Sequence, residues 1–143
     1  MSGPVGESDV TVWDTQLAIN LRTAYVTSRG FLPMLRAGRG ALVFFASETA
    51  LPGASVAEAS AYAVAKTGVV TLMRAIAAEE KKNGVRANAV APAAVRTASN
   101  VSAMGEKGSA SGGYVEMSAV TEAVSFLCSP AASAITGQVI RLK

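Results

Sequence analysis

"GRGALVFFAS", residues 38–47, is the stretch whose reading decides the fold. Gly38 and Gly40 punctuate the chain, and Ala41 to Ala46 then form an almost wholly apolar run. The run is too short for a helix and rich in Val and Phe, which suits a parallel strand buried on both faces. Upstream, "TVWDTQLAINLRTAYVTSRGFLPML" (11–35) places Trp13, Leu17, Leu21 and Tyr25 at helical spacing. Thr11 and Asp14 resemble a capping box that sets the helix start, and Pro33 predicts a kink or break near its end.

Downstream, a loop with Pro52 and Gly53 leads into a second helix, about 59–83, which Gly84 stops. "VRANAVAP" (85–92) reads as another buried strand closed by Pro92. Residues 98–115 are rich in Ser, Gly and Ala without periodicity, which predicts a mobile loop or lid. "MSAVTEAVSFLCS" (117–129) is a third helix and "GQVIRLK" (137–143) a last short strand. The alternation of helix and strand implies an α/β fold in which parallel strands are joined by helical crossovers, within one domain spanning 1–143. Three strands make a thin sheet. Nothing upstream covers the outer edge of the first, and an open apolar edge is an association hazard, so the chain reads as part of a larger sheet.

Composition narrows the function. Half of the 143 residues are apolar and the net charge is only +3, with basic residues scattered rather than gathered into a patch. That argues against nucleic acid as a partner. The one dense charged run, Glu79-Glu80-Lys81-Lys82, mixes signs and reads as the solvated end of a helix. A single cysteine, Cys128, excludes an internal disulfide and fits a reducing compartment. The first ten residues lack the basic head and apolar stretch of a signal peptide, and no apolar run reaches the roughly 20 residues of a bilayer span. The expectation is a soluble, cytoplasmic protein with no membrane partner. There is no histidine, which removes Ser-His-Asp and Cys-His hydrolases and histidine-ligated metal sites.

Chemistry concentrates in "SAYAVAKTGVV" (60–70), where Tyr62 and Lys66 stand four apart on one helix face. A nearby ammonium favours the phenolate, and a tyrosine tuned that way can pass a proton to or from a substrate oxygen. Taken alone the pair is a weak pattern, most cheaply explained as a rim tyrosine beside a snorkelling lysine. Ser47 stands at the carboxyl end of the first strand, where open α/β sheets place their ligand crevice. Asn20 sits inside an apolar helix, where Asn is disfavoured. Thr97 follows the second strand at the same rim.

In this order and at these spacings, "INL", "VFFAS", "YAVAK", "NGVRANAVAP" and "TGQVI" resemble the short-chain dehydrogenase/reductase family, from about Thr11 to Ile140. The resemblance implies a partial Rossmann-like, doubly wound parallel sheet of about three strands. It implies reversible reduction of a small-molecule ketone or aldehyde to an alcohol, with NAD or NADP carrying the hydride. Tyr62 would be the catalytic acid/base, and Lys66 would lower its pKa and hold the nicotinamide ribose. Ser47 would orient the substrate oxygen and Asn20 would support a water-linked proton path to Lys66. Pro92, Ala93, Val95 and Thr97 match the segment that lines the nicotinamide in the family.

The chain departs from the family's pattern in several places. It corresponds to the second half only, and no Gly-rich turn between a strand and a helix is found to hold a pyrophosphate. Ala93 follows Pro92 where the family usually has glycine, and a longer loop before Tyr62 makes Thr49 a rival to Ser47 by counting. Two functional classes follow. The chain is either the chemistry half of an oxidoreductase that needs a missing cofactor-binding half, or a non-catalytic remnant or oligomerisation module. Such a module would pair with itself or with an intact relative through its two long helices, which correspond to the family's usual dimer interface.

Overall fold

The structure, a computed structural model, describes residues 3–108 and 113–143. Helix α1 (Val10–Gln16), a π-helical turn (Leu17–Arg22) and α2 (Thr23–Gly38) run on as one helical stretch. Its cap lies two residues before the Thr11 of the expected box. The carboxylate of Asp9 accepts hydrogen bonds from the backbone N–H and the hydroxyl of Thr11, both at 2.8 Å, so Asp9 is the N-cap. These bonds hold the Asp9 carboxyl below its ordinary pKa. The expected break at Pro33 does not occur. Helix α2 continues through it to Gly38, because Pro33 and Arg29, whose carbonyl the missing N–H would have served, both lie on the exposed face where water can replace the lost bond. The chain then turns through Arg39 in the left-handed region (φ 50), and the Gly40 N–H closes the helix on the Leu35 carbonyl.

Strands β1 (Ala41–Phe45), β2 (Arg86–Pro92) and β3 (Val139–Leu142) form a wholly parallel sheet in the order β1-β2-β3. Ala41 pairs with Arg86 and Phe45 with Val90, while Ala89 pairs with Val139 and Pro92 with Leu142. Helix α3 (Ser60–Glu79) crosses from β1 to β2 and is followed by a 3-10 turn (Lys81–Asn83) that ends at Gly84, φ 73. Between β2 and β3 come α4 (Ala98–Met104) and α5 (Met117–Cys128).

Alternation along β2 organises the core. Ala87, Ala89 and Ala91 join Phe44 and Ala46 beneath Val69, Val70, Met73, Ile76 and Ala77 of α3. Alanines on the strand let the helix sit close, and each fully buried Val or Met side chain above them contributes roughly 1.5–3 kcal/mol. Asn88 and Val90, both fully buried, turn to the opposite face. Helix α5 packs against β1, β2 and β3, and Arg86 ties its end to the sheet by donating to the Leu127 carbonyl at 2.7 Å and the Ser129 carbonyl at 3.2 Å.

Three further expectations change. Residues 98–115 are not irregular throughout, since they contain α4, and residues 109–112 lie outside the described residues. Glu80 is not at a solvated end: it is 3% exposed and receives a two-pronged hydrogen bond from Arg36 (2.8 and 2.5 Å) and one from Asn83 (2.7 Å). Helix α3, at 20 residues and a mean hydropathy of 1.2, is long and apolar enough to cross a membrane, contrary to the reading of the sequence. Here its apolar stripe is spent on the core of the sheet.

Candidate active site

The carboxyl ends of parallel strands lie at one end of a sheet, so Ser47, just beyond β1, and Pro92 at the end of β2 with residues 93–97 after it, are gathered at a common rim. The chain folds into a 3-10 turn (Glu48–Ala50) directly after Ser47, whose hydroxyl oxygen caps it by accepting from the Thr49 N–H at 3.3 Å. That turn packs against both α3 and β2. Across the same end, Arg141 on β3 forms an ion pair with Glu48, which ties the Ser47 turn to the far strand. The Thr49 hydroxyl is buried without a hydrogen-bond partner.

Tyr62 lies in the first turn of α3 and Lys66 one turn later, both half-buried. The Lys66 ammonium stands 5.5 Å from the centroid of the Tyr62 ring, within the range of a cation–π contact. It donates a 2.8 Å hydrogen bond to the Phe45 carbonyl at the end of β1. Burial pushes the Lys66 pKa below its ordinary value, since desolvation disfavours the charged form.

Asn20 sits in the π-helical turn, where its amide donates at 3.0 Å to the backbone carbonyl and to the side-chain oxygen of Gln16. A widened turn of this kind often marks a functional position, and nothing in the residue pattern announces it. Asn20 and Lys66 line one cavity of about 320 Å³ between the long helix and β1, together with Thr23, Thr27 and residues 42–45. Tyr62, Ser47 and the residues after β2 lie outside that cavity's lining.

The segment after β2 is held in place residue by residue. The Ala93 N–H continues the ladder to the Leu142 carbonyl at 3.0 Å. Val95 makes a parallel bridge to Val115, and its carbonyl accepts from the Asn100 amide at 2.8 Å. Thr97 caps α4 through its hydroxyl and the Asn100 N–H at 3.1 Å. Further out, the Tyr114 hydroxyl donates toward the carbonyls of Asn100 (3.1 Å) and Gly105 (2.6 Å), and the Arg96 guanidinium lies over the Tyr114 ring at 4.8 Å. Tyr114 is thus the pin of this flap. The only cue in the sequence is an aromatic residue set among small ones.

Lys66 supplies a charged donor, Asn20 an amide, and the rim after β2 a braced backbone. Together they suit the nicotinamide and ribose end of a dinucleotide. The pyrophosphate end is a different matter among the described residues. The β1–α3 connection carries one glycine, Gly53, and the β2–α4 connection none, so neither forms a Gly-rich phosphate turn.

A family model described as enoyl-(acyl carrier protein) reductase matches residues 1–142. A tropinone reductase homolog of Arabidopsis thaliana is 36% identical over 132 residues, which is 87% of this chain and 49% of that protein. Among solved structures, an oxidoreductase of the short-chain dehydrogenase/reductase family from Burkholderia thailandensis superposes with a TM-score of 0.85 at 28% identity, covering 100% of this chain and 59% of that one. A Beutenbergia cavernae protein, assigned provisionally as an NAD(P)-dependent gluconate 5-dehydrogenase and solved with NADP at low occupancy, gives 0.85 at 30% identity over 99% of this chain and 59% of its own. The chain spans about half the length of the relatives it matches in sequence. With the sheet, the Tyr62–Lys66 helix and the family match in agreement, the chain belongs to the short-chain dehydrogenase/reductase family.

Proposed function

We propose that this chain is the chemistry-bearing half of an NAD(P)-dependent oxidoreductase that interconverts a small-molecule carbonyl and its alcohol. The observation that carries the reading is the placement of the Lys66 ammonium against the Tyr62 ring, beside a cavity that Asn20 also lines. Bound nicotinamide would supply the hydride in reduction and accept it in oxidation. In the reducing direction the Tyr62 hydroxyl gives its proton to the substrate oxygen, and in the oxidising direction the phenolate takes it back. The Lys66 ammonium stands over the Tyr62 ring and would offer its remaining protons to a ribose hydroxyl. The Ser47 hydroxyl, whose oxygen already accepts from Thr49, keeps its proton for the substrate oxygen. It suits that role better than Thr49, whose hydroxyl is shut away from solvent. Pro92, Ala93, Val95 and Thr97 would form the wall beside the nicotinamide, and Asn20 lines the Lys66 cavity.

Titration with NADH and NADPH, followed by nicotinamide fluorescence, tests cofactor binding by the chain alone. No saturable signal at millimolar cofactor would remove the reading of an autonomous enzyme. Where turnover is present, Tyr62→Phe should abolish it and leave cofactor binding nearly intact; unchanged turnover would contradict the proton-donor role.

A second reading, an oligomerisation module, draws on the outer face of the long helices. Trp13, Tyr25, Phe31 and Met34 are exposed there, and Leu17, Leu21, Tyr25 and Leu72 line an apolar hollow of about 500 Å³. Exposed apolar surface of this kind suits pairing with a second copy or an intact relative. Size-exclusion chromatography with light scattering would show a dimer or larger; a stable monomer at high concentration would count against it.

A further inference from the structure

Glu48 follows Ser47 directly, yet its ion-pair partner comes from the last strand, where the Arg141 guanidinium meets its carboxylate. The sheet register shows how far that pair reaches. Phe45 stands level with Val90 and Arg141 with Ala91, and the Ala46 N–H carries the ladder on to the Val90 carbonyl. Arg141 is therefore two strands away from the end of β1, a span of about 10 Å, and the pair straddles the carboxyl end of β2. Side chains alternate along a strand, so Arg141 shares the face of Val139, which packs against the core beneath α3. The pair thus lies on the face of the sheet that carries α3 and Tyr62.

Inside the turn, the Ala50 N–H donates to the Ser47 carbonyl at 2.9 Å and the Leu51 N–H to the Glu48 carbonyl at 3.0 Å. The bond from the Thr49 N–H to the Ser47 hydroxyl is longer, at 3.3 Å. Against these stands the Thr49 hydroxyl, buried without a partner. An unmet buried hydroxyl favours a turn that swings out to water, so a hold from outside the turn opposes it. The Glu48 side chain is 13% exposed and that of Arg141 44%. A carboxylate withdrawn from water that far is kept there by counter-charge. Strand β3 is anchored independently, through its ladder with β2 and the bond from the Gln138 N–H to Asn88. The strut therefore acts on the turn and not on the strand that supplies the arginine.

We propose that Glu48 and Arg141 are positioning residues: the strut between them seats the Ser47 turn at the rim and so aims the Ser47 hydroxyl at the substrate oxygen. This rests on the role given to Ser47 under the proposed function, and it adds to that role two residues that act through Ser47.

Arg141→Met removes the charge and keeps much of the aliphatic stem, whereas Arg141→Lys keeps both. Amide hydrogen exchange by NMR on the whole chain, without cofactor, reads the turn directly. In Arg141→Met, exchange at Thr49, Ala50 and Leu51 should rise by about tenfold or more, with the Ala46 and Ala89 amides unchanged. The Ser47 signals should shift with the turn, and Arg141→Lys should restore both protection and shifts. A pair of merely structural value would instead loosen the Ala89 amide, on the β2–β3 seam, together with the turn. Where the chain turns over a carbonyl substrate with NADPH, Arg141→Met should lower kcat by about ten- to a hundredfold. The KM for NADPH should stay the same, and Arg141→Lys should recover kcat. Unchanged protection of Thr49, Ala50 and Leu51 in Arg141→Met would overturn the proposal, as would a loss that lysine does not repair. An unchanged kcat beside a loosened turn would overturn the aiming of Ser47. A chain without turnover would remove the oxidoreductase reading instead, and the exchange result would still decide whether the strut holds the turn.

Discussion

Lys66 reaches from the second turn of α3 to the carbonyl of Phe45, 2.8 Å away, while its ammonium stands 5.5 Å from the Tyr62 ring centroid. One cation therefore serves two elements: it donates to the last carbonyl of β1 and stands over the face of a phenol on α3. The cost is desolvation, which lowers its pKa.

That cost predicts a pH dependence. The folded chain binds the Lys66 proton less tightly than the unfolded chain, so unfolding takes up protons between the depressed pKa and the ordinary lysine value of 10.5. Stability contributed by this group rises with pH across that window and is absent below the depressed value. Lys66→Met should remove the slope. Urea midpoints measured from neutral pH to about pH 10.5 in both proteins test it; parallel curves would show that Lys66 titrates normally.

The parts of the fold that the sequence made legible are those governed by local pattern. Strand β2 is a short run dominated by Ala and Val and closed by Pro92, and α5 a short apolar helix with clear ends, so both fall within a residue of the expected spans. Helix α4 was not legible, because its seven residues carry no apolar stripe. It depends on a Thr97 cap and on Tyr114, which comes from ten residues beyond its end. The site divides in the same way. The spacing of Tyr62 and Lys66 is a helical regularity that any reader of residues can see. The bond from Lys66 to Phe45 joins residues 21 apart, and the burial of Glu80 needs Arg36, 44 residues away. Contacts of that range follow from packing, which no local window contains.

Glu80 gives the acid counterpart. Its bonds from Arg36 and Asn83, then the charges of Arg36 and Lys82, pull its carboxyl from an ordinary 4.5 to about 2. A depressed carboxylate contributes stability that is fully present above pH 4.5 and lost as pH falls toward 2. Glu80→Gln should destabilise the chain at neutral pH and flatten its acid limb across that interval. Thermal melts through the window decide it, and an unchanged acid limb would mean another group drives acid unfolding.

Asn88 is the polar keystone of the opposite face. Fully buried on β2, it donates to the Ile135 carbonyl at 2.9 Å and accepts from the Gln138 N–H at 3.0 Å, fixing the approach to β3. Asn88→Ala strands both backbone groups away from water and should cost roughly 2–6 kcal/mol, at about 1–3 for each unmet group. Exchange at the β3 amides should rise more than at those of β1. Equal loosening of both strands would mean that Asn88 supports the sheet generally and not this junction.

Gly68 marks how closely α3 approaches the π-helical turn that carries Asn20. A Cβ added there would lie 2.8 Å from one terminal methyl of Leu21 and 3.1 Å from the other. The obstacle is the tip of a flexible side chain, which can swing aside, and alanine is favoured over glycine in a helix interior by about 1 kcal/mol. Gly68→Ala should therefore change stability by less than about 1 kcal/mol. Gly68→Ile adds bulk that Leu21 cannot yield to and should destabilise by about 1–3 kcal/mol. It should also shift the NMR signals of Asn20, because the clash pushes on the turn that holds it. Denaturant melts of the two variants, with spectra of each, make the comparison. An isoleucine variant as stable as the alanine one would show that the helices separate freely at this point, and that Asn20 is held by its own Gln16 bonds rather than by the contact with α3.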